Sequence, residues 1–149
     1  MVKHKVSFDY DNTIRDIKSI QEYCIELLKN PMLEVHIVTR RANYINKDRW
    51  ANLHPSYWTE VYDFALKMGI HNDNIHFCNF DYKEVFFKDN LDYLWHLDDD
   101  RYDCQLINQL GLKAIDHIFS PDWVSQCDEL IHLAINKKMP DNDGNNKIQ

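Results

Sequence analysis

Short apolar runs alternate with longer amphipathic ones along almost the whole chain. Residues 5–8 form a brief apolar strand that ends at Asp9. Over residues 14–29, Ile17, Ile20, Cys24, Leu27 and Leu28 recur at helical spacing, and Asn30-Pro31 stops that helix. Residues 33–39 alternate and are rich in β-branched side chains, which predicts a second strand followed by Arg40 and Arg41. Residues 42–55 are polar and read as a loop with one short helical turn. Ser56 is placed to cap a helix over residues 57–68, with Gly69 closing it. A third strand follows at 74–78, a short helix at 80–90, and a fourth strand at 93–97 that runs into Asp98-Asp99-Asp100. A helix at 103–110 capped by Gly111, a fifth strand at 113–119 and a last helix from Pro121 to about residue 137 complete the series.

Five such alternations predict an α/β fold. The expectation is a single Rossmann-like three-layer sandwich, with a mainly parallel five-stranded sheet and helices on both faces. Residues 1–139 form that domain. Residues 140–149 are rich in Asp, Asn, Gly and Lys and poor in apolar side chains, which predicts a disordered tail.

Composition narrows the function classes. A chain of 149 residues with 44% hydrophobic and 28% charged residues has the make-up of a soluble globular domain. No run approaches the roughly 18 apolar residues of a membrane span. The N-terminus enters the first strand with no apolar leader core, so a cytoplasmic protein is expected. Cys24, Cys78, Cys104 and Cys127 are widely spaced and form no C-x-x-C pair, which predicts reduced thiols. The net charge of −7 argues against a nonspecific nucleic-acid coat, but not against recognition of a single nucleic-acid end. Three glycines in the whole chain leave no Gly-rich phosphate loop. The histidines show no zinc spacing.

The chemistry-bearing residues fall where predicted strands end. Asp9 and Asp11 follow the first strand, Thr39 ends the second, Lys83 follows the third and Asp98-Asp99 follow the fourth. Parallel strands bring these ends to one edge of the sheet, the edge at which open α/β folds bind ligands. Two facing carboxylates require compensation, by a hard cation or by a raised pKa. A carboxylate nucleophile, a second carboxylate for proton transfer, a hydroxyl, a lysine and an acidic cluster together suit phosphoryl transfer through an aspartyl-phosphate.

Phe8-Asp9-Tyr10-Asp11-Asn12-Thr13 resembles the D-x-D-x-T signature of the haloacid dehalogenase superfamily of phosphatases. The resemblance implies that Asp9 is nucleophile and magnesium ligand. Asp11 is implied as general acid/base and as a main-chain ligand. Val35-His36-Ile37-Val38-Thr39 looks like the second motif, with Thr39 binding phosphate. Lys83 matches the third-motif lysine, with Lys88 as a competitor. His96-Leu97-Asp98-Asp99 looks like the acidic fourth motif. There Asp99 is favoured for the ion, with Asp98 in support. Asn12 stands where the family often has Gly, and Asn tolerates a left-handed backbone.

Neither gap between motifs is long enough for a cap domain. The expected site is therefore open, partly covered at most by residues 40–58, and suited to a protruding phosphate such as a nucleotide or polynucleotide end. Arg40 and Arg41 add positive charge beside the expected phosphate, and Arg41 is similar in placement to an arginine of phage-type polynucleotide phosphatases. Short capless chains of this pattern also resemble phage-encoded members. Tyr44, Trp50, Tyr57, Trp58 and Tyr62 suggest either packing or a base-stacking surface. The function expected is a magnesium-dependent phosphomonoesterase. The alternatives are a phosphoacceptor receiver-like domain and a member that binds phosphate without turnover.

Overall fold

The computed structural model describes residues 2–43 and 54–137. The predicted tail, Tyr44, Trp50 and most of the 42–55 loop lie outside the described residues. Five strands form one sheet: β1 (His4–Phe8), β2 (Leu33–Thr39), β3 (Ile75–Phe77), β4 (Tyr93–Asp98) and β5 (Ala114–Asp116). All four pairings are parallel, and the order is β3-β2-β1-β4-β5. The helices are α1 (Lys18–Leu28), α2 (Ser56–Met68), α3 (Glu84–Phe87), α4 (Arg101–Gln109) and α5 (Trp123–Lys137). This is the expected three-layer α/β architecture.

Two cores show the layering. On one face, Val6, Phe8, Val35, Ile37 and Leu97 meet Ile20 and Cys24 of α1, Val61 and Ala65 of α2, and Cys127 and Ile131 of α5. On the other, Val38 and Tyr93 meet Phe87 of α3 and Ile107 of α4. Strand parity divides Ile37 from Val38 in the ordinary way. In β4 the register slips between the Lys5↔Tyr93 and Val6↔Trp95 pairs. That bulge is why Tyr93 and Trp95, two residues apart, join different cores. All four cysteines are buried as free thiols. Among the described residues no helix is long and apolar enough to cross a membrane.

Element boundaries depart from the sequence expectation in physically instructive places. The helix expected from residue 14 starts at Lys18. Residues 10–14 are spent on one wide turn, in which Ile14 N–H donates to Asp9 C=O (3.2 Å) and Arg15 N–H to Tyr10 C=O (3.0 Å). Asn12 takes the left-handed conformation there (φ 58°). Ser56 opens α2 from inside the helix and does not cap it, its hydroxyl lying 2.9 Å from His54 Nδ1. Gly69 closes α2 in the left-handed region, as expected. The helix expected at 80–90 is one turn, because Asn79 and Phe80 both have positive φ and reverse the chain first. The helix expected from 103 begins two residues earlier. Asp100 Oδ1 accepts the N–H groups of Tyr102 (2.9 Å) and Asp103 (3.0 Å) and so caps α4. The fifth strand stops at Asp116, whose carboxylate accepts Ile118 N–H and turns the chain. The last helix starts at Trp123.

In this order the chain steps outward from β1 to β2 and β3, then returns to the opposite side for β4 and β5. The carboxyl ends of β1 and β4 therefore flank the topological switch point, where open α/β sheets leave a crevice. Asp9 and Asp98 stand at those two ends.

Candidate active site

A cleft of about 480 Å³ opens at this point, with Asp9, Thr39, Lys83, Asp98 and Asp99 among its walls. Its deepest feature is a knot of charge around Lys83, which is only 2% exposed. Lys83 Nζ donates to Asp9 Oδ1 (2.9 Å) and Asp98 Oδ2 (2.7 Å), and stands 3.6 Å from Asp103 Oδ2. The backbone explains how it arrives there. Phe80 N–H donates to Arg40 C=O (2.7 Å) and Asn79 N–H to Arg41 C=O (3.1 Å), folding the chain back from β3 against the end of β2. Lys83 N–H then donates to Asp103 Oδ1 (3.2 Å). Lys88 is exposed, so of the two candidate lysines it is Lys83 that the fold brings to the acidic cluster.

One ammonium faces three buried carboxylates here, and the half-buried Asp99 lies beside Asp9 and Asp98. Burial and the neighbouring Asp98 charge push the Asp9 carboxyl well above its usual range, further than Lys83 pulls it down. Burial would also raise Asp98, but Lys83 and the His96 hydrogen bond together hold it well below the usual carboxylate range. Lys83 is itself raised, because the attraction of Asp98 and Asp9 exceeds the cost of burying its charge. Such a cluster is short of positive charge. Asp9, Asp98 and Asp99 each offer an oxygen within 4.8 Å of the others, a hard-oxygen donor set that could hold a divalent cation of the magnesium type. Asp98 and Asp99 thus both belong to the cluster, whereas sequence reasoning gave the first only a supporting place.

Asp98 is anchored from behind. His96 Nε2 donates to Asp98 Oδ2 (2.7 Å), and Ser7 Oγ donates to His96 Nδ1 (2.8 Å). Burial lowers the His96 pKa against the pull of Asp98; with an N–H on Nε2 facing the carboxylate, Nδ1 is left to accept from Ser7 Oγ. Asp98 Oδ1 accepts Asp100 N–H (3.0 Å). On the other side, Thr13 Oγ1 donates to Asp9 Oδ2 (3.1 Å), so both oxygens of Asp9 have partners. Sequence reasoning missed Ser7, His96 and Asp103. The signal was strand parity, since Ser7 lies two residues before Asp9 and His96 two before Asp98.

Asp11 is held apart from this knot, at the half-exposed edge of the cleft. Arg41 grips it with two donors, Nε to Oδ2 (2.9 Å) and Nη2 to Oδ1 (2.6 Å), and Arg15 Nη1 adds a third at 2.8 Å. The remaining Arg41 nitrogen reaches Glu60 Oε1 (2.6 Å) and the Tyr57 carbonyl (2.8 Å). Of the two arginines expected beside the phosphate, Arg40 lines the cleft, whereas Arg41 is buried and committed to these carboxylates. Thr39 is buried at the end of β2 and lines the cleft; its Oγ1 accepts Arg41 N–H (3.2 Å). Of the aromatics after β2, Tyr57 packs on Phe80 and Arg41, and Tyr62 on Phe77.

No family model matches the chain, and no curated protein matches it. Among solved structures, the chain is similar in fold to an uncharacterized protein from Corynebacterium glutamicum. The TM-score is 0.61 at 12% identity, and the match covers 87% of this chain and 95% of the other. At that identity the likeness concerns the fold alone, and it agrees with the Rossmann-like α/β sandwich described above.

Proposed function

We propose that the chain is a magnesium-dependent phosphomonoesterase that works through an aspartyl-phosphate on Asp9. The observation that carries this reading is the contact of Lys83 with both Asp9 and Asp98 at the switch-point cleft, within reach of Asp99. A structural ion pair would need one carboxylate per lysine. Here the surplus carboxylates are destabilised in their charged form, as the raised Asp9 carboxyl shows, and a divalent cation beside them would relieve that cost.

Asp9, Asp98 and Asp99 would hold the magnesium ion, which when bound offsets the repulsion between carboxylates and phosphate. Lys83 keeps an Asp9 oxygen in place and faces the charge that grows during transfer. Thr13 fixes the other oxygen, so the carboxylate cannot rotate freely. Asp9 attacks phosphorus and the P–O bond to the leaving group breaks; Asp11 must give up part of its guanidinium contacts to carry the proton that it then passes to the departing oxygen. Asp11 then takes a proton from water, which attacks the phosphorus of the aspartyl-phosphate and releases phosphate and free Asp9. Thr39 and Arg40, both on the cleft wall, bind the phosphate oxygens. Arg41 positions Asp11 and does not touch the substrate.

The strand order speaks against the receiver-like alternative. Phosphoacceptor receivers use the order 2-1-3-4-5, in which β1 neighbours β3, whereas here β1 lies between β2 and β4. The test is hydrolysis of an aryl phosphate with and without magnesium by the wild type and by Asp9→Asn. Magnesium-dependent turnover that disappears in the variant is expected. Equal turnover in both would remove Asp9 as nucleophile, and turnover in neither would remove the phosphatase reading.

A further inference from the structure

We propose that the mouth of the cleft is a nucleoside subsite, in which Tyr102 stacks the base of a nucleoside phosphomonoester. This rests on the phosphatase reading for what happens to the phosphate, but not for the binding itself. Tyr82 and Tyr102 are 43% and 53% exposed, and their rings meet edge to face at 5.3 Å. Tyr102 lines the cleft. Neither ring belongs to either core. A large exposed ring on the cleft wall, backed by a second exposed ring, costs hydration free energy that a ligand can recover.

The arginines around them complete the subsite. Arg40 sits over the Tyr82 ring at 4.7 Å, and its nearest carboxylate, Asp100, is 3.9 Å away, beyond hydrogen-bond distance. Arg101 lines the same cleft and makes no ion pair among the described residues. It lies 4.9 Å from the ring of Phe119, which is 65% exposed. In a chain of net charge −7, guanidinium groups with spare donors on aromatic faces, next to a phosphate-type pocket, form an unusual local environment. A sugar phosphate would need the pocket floor and leave the rings uncovered. A ligand with a phosphate at one end and a flat aromatic base at the other uses both parts, since base–aromatic stacking tolerates any base. Arg101, further along the rim, suits a second phosphate, as in an oligonucleotide end.

The test is equilibrium binding, with magnesium present, of hydrolysis-proof phosphonate analogues: a nucleoside 5′-phosphonate, a ribose 5-phosphonate and a dinucleotide ending in a phosphonate. The wild type is expected to bind the nucleoside analogue about tenfold more tightly than the ribose analogue, equivalent to about 1.4 kcal/mol. Tyr102→Ala should abolish that preference while leaving ribose-analogue binding alone, and Tyr102→Phe should restore it. If the dinucleotide binds more tightly still and Arg101→Gln removes only that gain, the ligand is a polynucleotide end. If it binds no better than the mononucleotide, the ligand is a free nucleotide. Equal affinity for the nucleoside and ribose analogues in the wild type, or a preference that survives Tyr102→Ala, would overturn the subsite. Absence of turnover on every phosphomonoester with the preference intact would remove the phosphatase reading and leave the subsite standing.

Discussion

Replacing Lys83 by Met removes the one ammonium among Asp9, Asp98 and Asp103 while keeping most of the side-chain volume. All three carboxylates are buried, and Asp103 Oδ2 has no hydrogen-bond partner. Removing one partner of a buried ion pair costs about 3–5 kcal/mol, because the remaining charge has neither water nor counterion. In a domain of this size that lowers the melting temperature by about 10 °C. The cost should depend on pH in a definite direction. Lys83 now opposes the upward push of burial on Asp9 and Asp98. Without it, both carboxyls titrate at higher pH in the folded chain than in the unfolded one. The folded variant then binds the extra protons, so its stability rises as pH falls. Urea unfolding of both proteins in a chelator, at about pH 8 and about pH 5, should show the larger deficit at the higher pH. A deficit below about 1 kcal/mol, or one equal at both pH values, would refute the charge account of this knot.

Three further outcomes follow from other contacts. Asp11→Asn should lower kcat by about 10²- to 10⁴-fold, the usual worth of general acid–base catalysis, with little change in magnesium affinity as followed by titration. Arg41→Lys cannot bridge Asp11, Glu60 and the Tyr57 carbonyl at once, and should cost about 2 kcal/mol in urea unfolding while slowing turnover through misplacement of Asp11. His36 and His76 stack at 5.1 Å, and burial lowers both, His76 from 6.5 to about 4. The unfolded chain therefore binds more protons between those values, and stability should fall by up to about 3 kcal/mol as pH drops through that window, a dependence that His76→Phe should reduce.

The layer architecture was legible because hydrophobic period changes cleanly between strands and helices, and β2 has the residue bounds expected of it. The boundaries that moved did so where side chains or special backbone angles decide: the wide turn through Asn12, the Asp100 cap, the Asp116 turn and the reversal at Asn79-Phe80. Asp9, Lys83 and Asp98 could be gathered on one edge from strand order alone. The roles of Ser7, His96 and Asp103 depend on which neighbours parity and α4 bring within hydrogen-bond reach. The sequence placed Arg40 and Arg41 side by side, but their opposite fates follow from Glu60 and the Tyr57 carbonyl on α2, contacts with no local signature.

The proposal that Asp9 is the nucleophile is tested most directly by incubating the wild-type protein with an aryl phosphate and magnesium, acid-quenching during any steady-state turnover, and mapping the phosphorylated peptide by mass spectrometry. A phosphoryl group on Asp9, absent when magnesium is chelated, is the predicted result. Sustained turnover with no phosphoryl group on Asp9, or with the group on another residue, would contradict it.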